Sequence, residues 1–426
     1  MAEVLPINAL HYDLDAVGSL QDVVAPPYDV IDTAMRAELL ERSPYNAVAI
    51  DLPKPYGETG PQAEGEGDPY AAAAASIAAW QKAGALVKDT EPAIWGMEQE
   101  YTGPDGGSHI RHGILARVRV EDFEAGTILP HERTLPGPKQ DRLELMRATR
   151  CNLSPIFSLS TIDPWPLAAK ETAVMEPWGE ATDAAGTVTR IWRLPMLNED
   201  IPALLAEAQL LIADGHHRYE TAIAYRDEIG GEGDHNYTLM ALTGLDDPGL
   251  SVYPTHRLLS GFAEDPERQR QLGAGLRELF ETEEVAVERI DPLGEDGVGV
   301  FGLYDGVEKR AFRLRLEDTG ELDRLLEGQP EAYRRLDAAI LETLVLKRLA
   351  GLSEEDILAK RGIGYAKSVE DSLRLIEQGA YDAAFILRPI PVQQTKEICE
   401  SDANMPPKST YFYPKVLTGL LFNPLV

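Results

Sequence analysis

Residues Leu210 to Ala213 form an apolar run that ends in Asp214-Gly215, and the chain resumes with His216, His217, Arg218 and Tyr219. An Asp-Gly pair turns a chain tightly, and Tyr219, Ala222 and Ile223 then fall on one helical face, so the spacing predicts a buried strand, a turn and a helix N-terminus. The start of a helix carries unpaired N–H groups and the positive end of the dipole, where acidic side chains are favoured and cations are not. Here the first turn holds two imidazoles and a guanidinium. Cations at that end make sense if an anion sits among them, and a phosphate on exposed backbone N–H groups is the usual solution.

Asp214 has more than one possible task. As a cap it accepts the first-turn N–H groups of His216 or His217 and does nothing else. At the mouth of an anion site it holds Mg²⁺ or takes a proton from a hydroxyl. Zinc fits less well, because adjacent histidines on a helix point about 100° apart whereas a chelating pair needs four-residue spacing, and no cysteine is near. His216 and His217 also admit a plain reading as hydrogen-bonded core residues.

A second segment runs from Pro130-His131-Glu132-Arg133-Thr134 to Arg150. Between 131 and 150 five Lys and Arg (133, 139, 142, 147, 150) face three acids (132, 141, 144), a local balance of +2. The whole chain has 40 Lys and Arg against 71 Asp and Glu, a net charge of −31. A basic island in so acidic a chain suits a small anion, and the other reading is a solvated helix face with pairs such as Glu144 with Arg147. Glu132 is the carboxylate to choose as general base if this region faces a pocket. Pro254-Thr255-His256-Arg257 and Met405 to Lys415, with Lys408 and Lys415 in a hydroxyl-rich setting, are lesser candidates that read as structural when taken alone.

The net charge repels phosphate backbones and anionic lipid, so neither nucleic acid nor membrane is an expected partner. Two cysteines, Cys151 and Cys399, are too few for a disulfide framework, the start has no secretory pattern, and the uncharged stretch from Pro69 to Gln81 is too short to span a bilayer. The expected compartment is the cytoplasm.

The length of 426 residues predicts two domains, drawn at 1–260 and 261–426. Helix and strand signals alternate throughout, so the expected fold class is mixed α/β (α+β). Asp32 and Asp68 are read as helix caps, Asp22 to Ala25 as a strand end, Tyr56 to Asp68 as a loop, Ala93–Tyr101 and Ile110–Val120 as a hairpin, and Glu331 to Leu349 as one long helix.

Asp214-Gly215-His216-His217-Arg218-Tyr219 after an apolar strand resembles the signature of a widespread prokaryotic family known as domain of unknown function 1015. The likeness extends to Ala25-Pro26-Pro27-Tyr28-Asp29-Val30-Ile31, His131-Glu132-Arg133-Thr134, Asn152 to Phe157, Pro254 to Arg257 and Met405 to Lys415. The same turn is similar to that of the free-serine kinase and of sulfiredoxin, in the ParB and sulfiredoxin superfamily, where it binds a nucleotide's phosphates. The resemblance implies a ParB/sulfiredoxin-like core with additional α/β elements. It implies a phosphate site of Asp214, Gly215, His216, His217 and Arg218, and the locally basic segments add His131, Arg133 and Lys408 as further candidates.

From this follows an expected phosphotransferase: a small-molecule kinase acting on a hydroxyl, free L-serine first, with ATP, ADP or pyrophosphate as donor. Mg²⁺ on Asp214 and the surrounding cations offset charge on the transferred group. Glu132 or Asp214 deprotonates the acceptor, and His217 is counted among the catalytic candidates. The alternatives are a ParB-like nucleotide switch or nucleic-acid module, and a phosphatase acting on phosphoserine.

Overall fold

The computed structural model describes residues 2–54, 67–103, 106–132, 136–401, 403, 405–406 and 408–425. The expected loop at Tyr56 to Asp68 lies, through Glu66, outside the described residues, as does Arg133. The chain divides into two compact units. The first comprises Met1–Pro130, Thr134–Ser251 and Pro414–Val426, and the second comprises His131–Arg133 and Val252–Tyr413. The fold is mixed α+β.

In the first unit nine strands build one mixed sheet: β1 (Val4–Leu5), β2 (Ile94–Thr102), β3 (Ser108–Arg119), β4 (Ile128–Leu129), β5 (Ile156–Ser160), β6 (Gly179–Thr182), β7 (Val188–Leu194), β8 (Leu210–Asp214) and β9 (Tyr237–Gly244). Their order is β4-β8-β5-β9-β3-β2-β7-β6, with β1 also on β3. The expected hairpin is β2–β3, antiparallel from Trp95↔Leu115 to Thr102↔Ser108. β5 runs parallel to β9 and antiparallel to β8. Apolar side chains such as Ile114, Ile156, Ile212 and Met240 bury the sheet's core face, where Tyr219 and Ala222 pack from a helix.

Helix α1 (Pro69–Lys82) begins as its sequence requires, for Asp68 accepts the Tyr70 N–H at 2.9 Å and Pro69 occupies the first turn. Asp32 likewise accepts the Met35 N–H at 2.8 Å. Helices α2 (Pro136–Thr149) and α3 (His216–Ile229) pack on each other. Asp22 to Ala25 is extended only at its end: Leu20–Val23 is a helical turn, with Leu20 and Val23, three apart, both buried, while Val24 is extended and Ala25 forms an antiparallel bridge with Thr418.

The second unit holds a six-stranded antiparallel sheet of β10 (His256–Leu259), β11 (Phe280–Val285), β12 (Val300–Asp305), β13 (Arg310–Leu316), β14 (Ile363–Ala366) and β15 (Ala383–Ile386). Their order is β11-β13-β12-β15-β10-β14. Helix α4 (Pro266–Leu279), capped by Asp265 through the Arg268 N–H at 3.0 Å, packs on β11. The single helix expected from Glu331 to Leu349 is three pieces: Glu331–Arg334, Asp337–Ile340 and a π-helical Leu341–Leu349. Leu336 is extended, and Asp337 turns inward to Arg388 (2.8 and 2.9 Å) and the Gly299 N–H (3.1 Å), which breaks the first two pieces apart. Among the described residues no helix is long and apolar enough to cross a membrane.

Candidate functional site

The Asp214 turn is shaped by a bulge. β8 pairs with β5 from Leu210↔Ser160 to Ile212↔Ser158, and the register then shifts so that Asp214 stands opposite Phe157. A bulge re-aims the side chain that follows it, and here that side chain is the carboxylate at the strand end. Gly215 follows at φ +101° and is the N-cap of α3, with no side-chain cap hydrogen bond. The reading of Asp214 as the cap is thereby corrected. Strand β8 runs one residue further than its apolar stretch, so the capping position falls on Gly215.

Arg218 folds back over this turn. Its Nη2 donates to Asp214 Oδ2 at 2.6 Å, while Nη1 donates to Ser154 Oγ at 2.6 Å and to the Pro155 carbonyl at 2.5 Å. The other carboxylate oxygen, Oδ1, accepts from Lys415 Nζ. Gln99 fixes the backbone of Lys415 through its carbonyl at 3.1 Å. Thr418 Oγ1 meets Ser154 Oγ at 2.9 Å, so the 414–418 stretch braces both cations.

Charge is dense at this point. Burial by itself would raise the Asp214 carboxyl, but Lys415 and Arg218 beside it, with His216 near, hold it well below the usual carboxylate range. One ionised carboxylate therefore faces two touching cations at the positive end of a 14-residue helix. Arg111 adds a third cation within electrostatic range of Asp214. It is fully buried, with its guanidinium 4.2 Å from the centre of the Phe157 ring, and donates to Gln99 Oε1. Its Nε and Nη1 have no hydrogen-bond partner among the described residues, and neither does Arg218 Nε. Burial lowers the Arg111 pKa to about 10, against the pull of Tyr101, Asp247 and Asp214. Buried N–H donors of charged groups are costly when unmatched, and an anion is the ligand that matches them.

His216 is buried and His217 half-buried in the first turn of α3, where the His217 carbonyl accepts from Thr221 Oγ1 at 2.7 Å. Asp214 is ill suited to two of its expected tasks. A carboxylate held so far toward its ionised form is a weak general base. It is also a poor fit for Mg²⁺, since each oxygen already faces a cation that would repel a metal ion. Among the described residues no group of three or more His, Cys, Asp or Glu is placed to hold one.

Three cations of the basic island are held in ion pairs. Lys139 meets Glu220 at 2.6 Å, Arg147 meets Glu144 at 2.7 Å and Glu228 at 2.6 Å, and the buried Arg142 lies between Asp51 (3.3 Å) and Asp141 (2.6 Å). The solvated, paired helix face is what the structure shows for Lys139 and Arg147. Asp51 also accepts from Thr418 at 3.4 Å, which joins this network to Ser154 and Arg218 around a cavity of about 40 Å³.

Glu132, His131 and Lys408 belong to the second unit. Glu132 Oε1 accepts the backbone N–H of Lys408 at 3.2 Å. His131 is buried, bonded through Nε2 to Thr410 Oγ1 at 2.8 Å and edge-on to Phe412. Lys408 is exposed, at φ +58°. His256 is buried, its pKa lowered to about 4 by burial and by Arg257, and its Nδ1 accepts the Leu387 N–H at 3.2 Å.

Two members of the Asp214 cluster escaped sequence reasoning as site residues, Arg111 and Lys415. Arg111 had a signal: it shares the buried face of β3 with Gly113 and Leu115, while its neighbour Ile110 points out, an inverted order of polar and apolar. Lys415 stood out only as locally basic.

A family model described as protein of unknown function (DUF1015) matches residues 4–339. No curated protein matches the chain. Among solved structures it is similar to a conserved hypothetical protein from Pyrococcus furiosus, at 17% identity and a TM-score of 0.36 over 72% of this chain and 95% of that one. It is similar to a free serine kinase in complex with AMP, at 15% identity and a TM-score of 0.37 over 70% and 86% of the two chains. A third similarity is to SbnI with a C-terminal truncation from Staphylococcus aureus, at 12% identity and a TM-score of 0.36 over 71% and 85%.

Proposed function

The chain belongs to the DUF1015 family, and from the charge at its Asp214 turn we propose that it is a small-molecule kinase that binds a polyphosphate donor there and phosphorylates a hydroxyl, free L-serine being the first acceptor to try. The observation that supports this is the gathering of three little-exposed cations, Arg218, Lys415 and Arg111, around Asp214 at a helix start, with buried guanidinium N–H groups on Arg111 and Arg218 that have no hydrogen-bond partner among the described residues.

In this reading the N–H groups of the first turn of α3, with Gly215, His216 and His217, cradle the donor's phosphates. Arg218 and Lys415, already oriented by Asp214, offset the charge that spreads over the transferred group. Asp214 serves as the fixed counter-charge that keeps both cations in place before the anion arrives. Any Mg²⁺ enters as part of the polyphosphate substrate. The acceptor hydroxyl forms the new O–P bond, the bond to the leaving phosphate breaks, and the hydroxyl proton passes to solvent, since Asp214 is too weak a base to take it.

A donor-by-acceptor screen by phosphorus NMR tests the reading, with serine, threonine and glycerate against ATP, ADP and pyrophosphate. Formation of a phosphate monoester of one acceptor is the expected result. Absence of transfer in every combination would overturn it, and release of phosphate from O-phosphoserine alone would make the protein a phosphatase.

A further inference from the structure

The second unit contains a cavity of about 190 Å³ between α4 and the strands β11, β12 and β13. Its helix wall is the face Gln269, Leu272, Gly273 and Leu276, spaced i, i+3, i+4 and i+7, and its sheet wall includes Leu303, Phe312 and Leu314. A position on that inward face would ordinarily carry a large apolar side chain. Gly273 carries none, and a Cβ there would meet only the Arg277 guanidinium, at 3.7 Å. Glycine is among the poorest residues for a helix interior, so this position sacrifices both helix propensity and core packing and leaves the space open. An apolar cavity of about 150 Å³ is large enough to take up benzene.

The polar groups around the space are mostly spoken for. Arg270 pairs with Glu267 at 2.5 Å, and Arg310 pairs with Glu284 through two hydrogen bonds. Asp382 accepts the Phe262 and Ala263 N–H groups, and Asp305 accepts those of Val307 and Glu308. Arg277 forms no ion pair among the described residues and lies across the bare backbone of Gly273 at the cavity wall. The Asp305–Gln269 end is two helical turns away, about 12 Å at 1.5 Å per residue.

We propose that this cavity is a binding site for a small carboxylate with an apolar body of branched-chain or aromatic size, the body lying between Leu272, Leu276 and Leu303 and the carboxylate on Arg277. Its lining shares no residue with the Asp214 cluster.

Calorimetry on the full chain tests it, with phenylacetate as the probe and phenethylamine and toluene as the cationic and uncharged counterparts. Phenylacetate is expected to bind, at least tenfold more weakly in Arg277→Gln and not measurably in Gly273→Leu, which fills the space. Gly273→Leu is also expected to melt at a higher temperature than the wild type. If that variant does not fold, Leu303→Phe fills the cavity from the sheet side and is expected to abolish binding equally. Arg218→Ala is expected to leave phenylacetate binding unchanged, so failure of the phosphate site and failure of this one read out separately. The site would be overturned by no phenylacetate binding at 10 mM, by binding that survives both filling variants, or by phenethylamine or toluene binding as tightly as phenylacetate.

Discussion

The guanidinium of Arg218 occupies the space where a side chain on Gly215 would begin: a Cβ built there stands 2.9 Å from Nη2 and 3.0 Å from Nε. Gly215 is thus required twice, by its φ of +101° and by this close approach. Gly215→Ala is expected to cost about 1–3 kcal/mol from the backbone strain, read by urea denaturation. Pyrophosphate affinity, followed by calorimetry, is expected to fall with it. A variant as stable as the wild type would show that the turn relaxes around the methyl group.

Arg218 divides its donors among Asp214, Ser154 and the Pro155 carbonyl, a fork that an ammonium group does not reproduce. Arg218→Ala is expected to weaken pyrophosphate binding by about 1.5–3 kcal/mol, the scale of a lost charge-assisted hydrogen bond. Arg218→Lys is expected not to restore it. Lys415→Met is expected to have a loss of the same order, and calorimetry at constant ionic strength checks all three.

Asp214→Asn separates a counter-charge from a cap. Asn caps a helix about as well as Asp, so a capping role leaves the variant nearly silent. As counter-charge to Arg218 and Lys415, both little exposed, Asp214 is expected to be missed by about 3–5 kcal/mol, the penalty for breaking a buried pair. Added pyrophosphate is expected to recover part of that loss in a thermal melt, since it supplies the missing negative charge.

His112 gives a handle on pH. Burial disfavours its charge, but Asp247 at 3.4 Å and Glu98 at 3.6 Å outweigh burial and raise its pKa to about 9. A folded-state pKa above the unfolded value near 6.5 means that the contribution is complete below about pH 6.5 and is lost as the pH rises through 9. Denaturation between pH 6 and 10 is expected to show this decline in the wild type. In His112→Gln the decline over that interval is expected to be shallower.

Local features were legible in the sequence where neighbours in the chain decide them. Asp68-Pro69 and Asp32 start their helices, and the apolar run into Asp214-Gly215 is a strand entering a turn and a helix. The partners that decide electrostatics lie far off. Lys139 and Arg147 read as a basic island because their acids, Glu220 and Glu228, are each 81 positions away. Lys415 stands 201 positions from Asp214, and no periodicity carries information over that separation. Gly215 rather than Asp214 is the cap because a bulge shifts the strand end, an event set by pairing with β5 and invisible in β8 alone. The long helix failed at Asp337, whose carboxylate is drawn inward by Arg388, 51 positions on.

The return of residues Pro414–Val426 to the first unit bears on how the protein is made. Lys415 and Thr418 are made after everything else in the Asp214 cluster, so a nascent chain that has passed Arg218 but not reached Lys415 holds Arg218 beside an Asp214 that lacks its second cation and a Ser154 that lacks its Thr418 partner. The first unit thus closes across the whole of the Val252–Tyr413 segment, so its completion includes a long loop closure. A fragment that stops short of residue 415 therefore carries the Asp214 turn without the ammonium group that holds its Oδ1.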